Sequence, residues 1–168
     1  MILRYKVTIP GNRIFMREYD FDSGMSLFRL HEFLDRDMCF SPDQMTMFET
    51  VSEKGKVRRR LGLFDFGDGS MDMVTLADTV EHGEPVLRYV YNMSINLFME
   101  LSLESETEFN PRLSYPLLVA EKGRNPDQFS AVYEDYEAFS DRHAVQADDA
   151  VEEDAFEDED LPEGEETV

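Results

Sequence analysis

The sequence predicts an α+β fold, in which an antiparallel-rich sheet packs on one main helix and a disordered acidic tail follows. In several short segments apolar residues alternate with polar ones, as in half-buried strands, and in one segment they recur at helical spacing. Residues 141–168 hold 13 acidic residues against one basic residue, more than half of the excess behind the formal net charge of −21.

These observations divide the chain into a single α+β domain over 1–140 and a tail over 141–168. The first part is rich in Phe, Tyr, Met, Leu and Val, enough for one core. The tail has too few apolar residues to offset the entropy of ordering it, and its charges repel one another. We therefore expect the tail to be disordered.

The first strands and the first helix are predicted from a change in the spacing of the apolar residues. Residues 3–9 alternate as a strand, "PGN" at 10–12 indicates a turn, and 13–21 forms the returning strand of a hairpin. Helical spacing then predicts a helix over 27–38, with Ser26 as its N-cap. The apolar stripe of this helix consists of Leu27, Leu30, Leu34 and Met38, widened by Phe33.

A second hairpin is predicted from 45–52 and 56–64, on either side of Glu53-Lys54-Gly55. The polar "DFGDGS" at 65–70 indicates a loop, and "TLADTV" at 75–80 suggests a short helix.

A pair of strands over 89–104 is predicted to turn at Asn92–Asn96, because Leu97, Met99, Leu101 and Leu103 alternate with polar or exposed positions. Residues 109–129 are expected to be mostly loop, with a short strand near Leu117–Ala120. A short helix is predicted over 130–143.

The composition limits the function classes. The strong negative charge disfavours general nucleic-acid binding, because a phosphate backbone is repelled. Cys39 is the single cysteine, which excludes an intrachain disulfide and fits a reducing compartment. The apolar neighbours of Cys39 predict that its thiol is buried. No apolar run approaches the roughly 18 residues of a membrane span, and no signal peptide is apparent, so we expect a cytoplasmic protein.

Several short motifs occur in a distinctive order. They are Ile14-Phe15-Met16-Arg17, Leu30-His31-Glu32, Phe40-Ser41, Phe48, Tyr89 with Tyr91, Tyr115-Pro116 and Asn125-Pro126-Asp127. In this order they resemble the plasmid pRiA4b ORF-3-like family, an α+β family of bacteria and mobile elements, over roughly residues 1–130. The resemblance implies a fold more than a function, because the family has no firmly established activity.

The hairpin motif of that family is degenerate in this chain. Asn92, Ser94, Ile95, Leu97 and Met99 stand where the family has Asp, Gly, Asp, Trp and His, and no cysteine follows Tyr115-Pro116. The resemblance implies that a polar function of those positions is absent or altered here, which favours a non-catalytic protein.

A basic segment, "KGKVRRR", stands out from the acidic background. Its five cations are Lys54, Lys56, Arg58, Arg59 and Arg60. On a strand, Lys56, Arg58 and Arg60 would share one face and Arg59 would join Val57 on the other. The segment is either a patch for phosphates or an acidic partner, or a solvated edge strand whose charges discourage aggregation. The acidic tail could also screen it.

Two other patterns suggest ligand chemistry. His31 and Asp35 are four residues apart on the predicted helix, but a zinc site needs three or four ligands, so a hydrogen-bonded histidine at the helix–sheet edge is favoured over a metal ligand. "FDFGDG" contains D-F-G and several aspartates, but neither the remaining kinase motifs nor calcium-loop spacing accompany it, which favours a solvated turn.

The first hypothesis is a non-catalytic binding module that engages a protein or nucleic-acid partner through the 54–60 segment or a sheet edge. The alternative is a small, metal-assisted hydrolytic enzyme with His31 in its site. No nucleotide loop or nucleophile motif is present, and we predict no cofactor.

Overall fold

The computed structural model describes residues 1–132. Its strands are β1 (Ile2–Ile9), β2 (Asn12–Asp22), β3 (Met47–Val51), β4 (Val57–Gly62), β5 (Val86–Asn92), β6 (Leu97–Thr107) and β7 (Leu117–Lys122). Its helices are α1 (Leu27–Asp37) and α2 (Leu76–Glu81), with a single 3₁₀ turn at Met71–Met73. The predicted acidic tail over 141–168 lies outside the described residues. The part of the predicted helix over 130–143 that follows Val132 also lies outside them.

The strands form one antiparallel sheet in the order β4-β3-β5-β6-β1-β2-β7. The three predicted hairpins, β1–β2, β3–β4 and β5–β6, are all present. The α+β prediction, a sheet on one main helix, is therefore confirmed. β4 and β7 are the two edge strands of this sheet.

One face of the sheet carries the core, because most of the alternating apolar residues of the strands point to it. The α1 helix covers this face and presents its apolar stripe. Phe33 meets the ring of Tyr19 on β2 edge to face, and His31 lies beside Tyr89 on β5. One flank of the helix therefore reaches β2 and the other reaches β5, on either side of β6 and β1.

The ends of α1 are fixed by local hydrogen bonds. Ser26 accepts from the backbone N–H of Arg29, as an N-cap does. At the other end the N–H of Phe40 donates to the carbonyl of Asp35, and the N–H of Cys39 to that of Arg36. This is the Schellman pattern, and it places Cys39 in the left-handed region at φ 58°.

The Schellman turn overturns the prediction of a buried Cys39 thiol. Met38 and Phe40 point into the core, whereas the left-handed residue between them turns outward and is exposed. The prediction was wrong because it was based on the apolar neighbours Met38 and Phe40 alone, and they do not indicate the left-handed backbone between them.

The hydrogen bonds and backbone conformation of the turn between β5 and β6 explain why it holds no charged residues. The Asn92 side chain accepts from the N–H groups of Ser94 and Ile95, and Asn96 adopts φ 54°, which asparagine tolerates well. The Asn92 amide also donates to the carbonyl of Gln128. Asn92 therefore has a structural role in the hairpin.

Candidate functional site

The basic segment forms the tip and outer strand of the β3–β4 hairpin. Lys54 lies in the turn, where Gly55 at φ 77° allows the chain to reverse. Lys56, Arg58 and Arg60 are exposed, whereas Val57 and Arg59 are half-buried on the opposite side. The predicted separation of the cations onto two faces of an edge strand is confirmed.

Arg59 is the one predicted binding residue that the structure removes from the patch. Its guanidinium donates to both carboxylate oxygens of Glu84, at 3.0 Å and 2.6 Å. Glu84 is only 2% exposed, and its N–H is bonded to the carbonyl of Thr79. This bidentate pair ties β4 to the residues after α2, which gives Arg59 a structural contact that the other four cations lack.

The remaining cations, which we call the hairpin cations, are Lys54, Lys56, Arg58 and Arg60. None of them has a carboxylate within salt-bridge distance among residues 1–132. Arg60 faces Glu49 across the strand pair, and Arg58 lies at a register shift of β4. Elsewhere on the sheet, Arg4, Arg17 and Arg88 each have a carboxylate partner, whereas Lys6, Arg13 and Lys122 have none within residues 1–132, so what distinguishes the hairpin cations is that four of them lie together. Within residues 1–132, no carboxylate neutralises the hairpin cations.

The loop over 65–70 covers the backbone of β4. Asp68 accepts from the N–H of Arg60, and Gly62 forms a bridge with Ser70. Asp65 accepts from the N–H groups of Gly67 and Gly69, and these bonds lower the pKa of its carboxyl. The aspartates of "FDFGDG" are therefore occupied with backbone groups, in the manner of the solvated turn that the sequence favoured.

A second candidate site surrounds His31. Its Nδ1 lies 2.7 Å from the Tyr89 hydroxyl and 3.3 Å from the Thr46 hydroxyl. The Tyr89 hydroxyl also hydrogen-bonds the Asp35 carboxylate, whose second oxygen lies 3.4 Å from Nδ1. We call His31, Asp35, Thr46 and Tyr89 the histidine cluster. All four are buried between α1 and the sheet.

The electrostatics of this cluster are set by burial. Loss of water raises the pKa of Asp35, while the hydrogen bond from Tyr89 and the nearby His31 act in the opposite direction. Burial and the negative charge of Asp35 raise the pKa of Tyr89, so its hydroxyl stays protonated and donates. Because the Tyr89 hydroxyl donates to Asp35, its oxygen can accept from Nδ1–H of His31, and in the tautomer that carries its proton on Nδ1 the other nitrogen, Nε2, is a lone-pair acceptor.

A cleft of about 550 Å³ lies along α1 above the histidine cluster. Its walls include Phe28, Glu32 and Arg36 of the helix, Phe40 after it, and Leu63 after β4, and both His31 and Asp35 line it. Among residues 1–132, no group of three or more His, Cys, Asp or Glu side chains could hold a metal ion.

Sequence reasoning identified His31 and Asp35 but missed Thr46, Tyr89 and Glu84. Their partners are distant in the chain: Tyr89 is 58 residues from His31, and Glu84 is 25 residues from Arg59. No local spacing reveals such contacts. The available signal was a tyrosine on the buried face of a strand, since a buried hydroxyl needs a partner.

Comparison with known proteins adds a fold and no function. No family model matches the chain, and no curated protein matches it. The crystal structure of a protein of unknown function from Methanosarcina mazei Go1 is similar, with a TM-score of 0.66 and 18% identity over 89% of this chain and 83% of that chain. At this identity the likeness shows the fold alone. Within residues 1–132, no helix is long and apolar enough to cross a membrane.

Proposed function

We propose that this protein is a non-catalytic binding module, and that its hairpin cations contact an acidic segment of a partner protein. One observation carries the proposal: four exposed cations lie together on an edge hairpin, with no carboxylate partner among residues 1–132, in a chain of net charge −21. An edge strand can be protected from aggregation by charges of either sign. The hairpin cations have the sign opposite to that of the whole chain, which favours a binding role over protection alone.

The structure favours recognition by side chains over addition of a strand. Loop 65–70 already occupies the N–H of Arg60 and pairs with Gly62, so an incoming strand would meet a covered edge. Alternate strand residues are spaced about 7 Å apart, so Lys56, Arg58 and Arg60 match alternate carboxylates of an extended acidic peptide.

An acidic protein segment is a better ligand for this patch than a nucleic acid. A polyphosphate carries a dense and continuous charge that the rest of the chain repels, and few cations oppose it here. A short acidic segment can place its carboxylates on the hairpin and direct its remaining residues away.

Fluorescence anisotropy with a labelled twelve-residue peptide of alternating Glu and Ser tests the proposal. The double variant Arg58→Glu/Arg60→Glu is expected to weaken binding at low salt at least about tenfold, because two ion pairs become two repulsions. The control Lys122→Glu/Arg112→Glu makes the same change in net charge at exposed sites away from this hairpin and is expected to weaken binding much less.

Two results would overturn the proposal. Equal weakening by both double variants would indicate a response to net charge alone. Tighter binding of a labelled oligothymidylate than of the peptide would indicate a nucleic-acid partner.

We also propose that the chain is a divergent member of the plasmid pRiA4b ORF-3-like family and that it works in the cytoplasm. The contact between His31 of the L-H-E motif and Tyr89 of the tyrosine pair supports this, because two separate motif segments then share one structural role. Cell fractionation with an antibody to the chain tests the location.

The competing function is a metal-assisted hydrolase with His31 in its site. The histidine cluster beside a cleft favours it, because a carboxylate and a hydroxyl orient the imidazole. It requires a metal that copurifies with the protein and is lost in His31→Ala, which elemental analysis of the two purified proteins measures.

A further inference from the structure

We propose that the cleft along α1 binds an aromatic amine, whose ammonium group donates a hydrogen bond to Nε2 of His31 and whose ring lies between Phe28 and Phe40. This site is separate from the hairpin cations, and its ligand has the opposite charge.

The acceptor at the base of the cleft is the first support. His31 is only 7% exposed, and its Nδ1 is occupied by Tyr89 and Thr46. Its Nε2 has no hydrogen bond to any of residues 1–132, although the ring lines the cleft. The ring is held through Nδ1, so an Nε2 that no residue of 1–132 hydrogen-bonds offers a donor ligand a fixed recognition point in the cleft.

The walls of the cleft select the body of the ligand. Phe28, Phe40, Pro42 and Leu63 provide apolar surface in the cleft, and the Phe28 ring lies 5.8 Å from the His31 ring. Phe28 is 38% exposed, which is high for a phenylalanine on a helix and leaves ring surface free for stacking. The ring of an aromatic ligand fits this surface. The faces of the phenylalanine rings in the wall also attract the ammonium group of such a ligand.

The charge of the cleft selects the sign of the polar group. Glu32 and Asp35 line it with Arg36, so its carboxylates outnumber its guanidinium. Residues 1–132 hold 21 acidic against 15 basic residues, and this excess adds a field that favours cations. An ammonium group beside Nε2 can reach the exposed carboxylate of Glu32, whereas a carboxylate ligand would meet repulsion there.

Benzylamine and benzoate test the proposal, because they share a ring and carry opposite charges at pH 7.5. Each is titrated to about 10 mM, since a ligand of this size seldom binds much more tightly than about 1 mM. Imidazole-selected ¹H–¹⁵N spectra report on His31, and the exposed His82 serves as an internal control. We expect benzylamine to shift the His31 signals saturably, at least fivefold more tightly than benzoate, and to leave His82 unchanged.

Two substitutions at exposed residues of the cleft wall locate the site. Phe28→Ala removes one wall and is expected to weaken benzylamine binding at least threefold. Glu32→Gln removes the outer carboxylate and is expected to weaken benzylamine but not benzoate, whereas Glu81→Gln, an exposed position on α2, is expected to change neither.

The proposal is overturned if the His31 signals do not respond to benzylamine, or if benzoate binds as tightly. Equal effects of Glu32→Gln and Glu81→Gln would also contradict it, because the response would then follow net charge and not the cleft.

Discussion

Tyr89→Phe is expected to destabilise the protein by an amount that grows with pH. The substitution keeps the ring, which packs 4.9 Å from Phe48, and removes only the hydroxyl that donates to Asp35 and contacts His31. A hydrogen bond to a charged group contributes about 1.5–3 kcal/mol and one to a neutral group about 0.5–1.5 kcal/mol. The loss is therefore expected to be about 2 kcal/mol where Asp35 is ionised and smaller where it is protonated.

The sign of the pH dependence follows from the Asp35 carboxyl. Burial raises its folded-state pKa above the ordinary value of 3.8, so this group reduces stability as pH rises through that folded-state pKa. The Tyr89 hydroxyl limits the shift, and without it the folded-state pKa rises further. The difference in unfolding free energy between variant and parent consequently increases with pH between the two folded-state pKa values.

Urea unfolding followed by circular dichroism from pH 5 to pH 8 measures this difference. Solubility is poorest near the sequence pI of 4.3, and the chosen range lies above that pH. Tyr5→Phe is the control, because burial raises the pKa of the Tyr5 hydroxyl to about 12 and no carboxylate of residues 1–132 hydrogen-bonds it, while Glu106 acts on it only through its charge. A Tyr89→Phe cost that stays constant with pH, or that matches the Tyr5→Phe profile, would refute the assigned Tyr89–Asp35 hydrogen bond.

Three further predictions concern the fold. Arg59→Leu leaves the buried Glu84 carboxylate without its partner and is expected to lower the unfolding free energy by about 3 kcal/mol, whereas a loss below about 1 kcal/mol in urea titration would mean that the pair is solvated. Cys39 is expected to react fully with a thiol reagent in the native state; protection that ends only in denaturant would contradict its outward position. Gly123→Ala is expected to cost more than about 1 kcal/mol, because φ is +76° and the new Cβ would lie 2.9 Å from the Ile14 carbonyl oxygen; unchanged urea unfolding would contradict the strain.

The strands and helices were predictable because each has its own apolar period. The change from alternation to helical spacing near Leu27 located α1 within a residue of its observed end, and the alternation from Leu97 onward gave β6 its buried face. These patterns depend only on which residues face the core, so one sequence was sufficient.

Contacts between distant segments were not predictable in the same way. His31 and Asp35 were suggested by their spacing, but the hydroxyls that orient them come from positions 46 and 89, which only the assembled sheet brings close. The pairing of Arg59 with Glu84 likewise depends on where the chain returns after α2. Cys39 was misjudged because its left-handed backbone is a property of the helix end, where glycine is the usual signal.

The most direct test of the proposed binding function is a backbone amide NMR titration of the full chain with the Glu–Ser peptide. If the hairpin cations form the binding surface, the largest saturable shifts will fall on residues 54–60 and disappear in Arg58→Glu/Arg60→Glu. Shifts concentrated along the α1 cleft, or no saturable shift at the hairpin, would contradict that function.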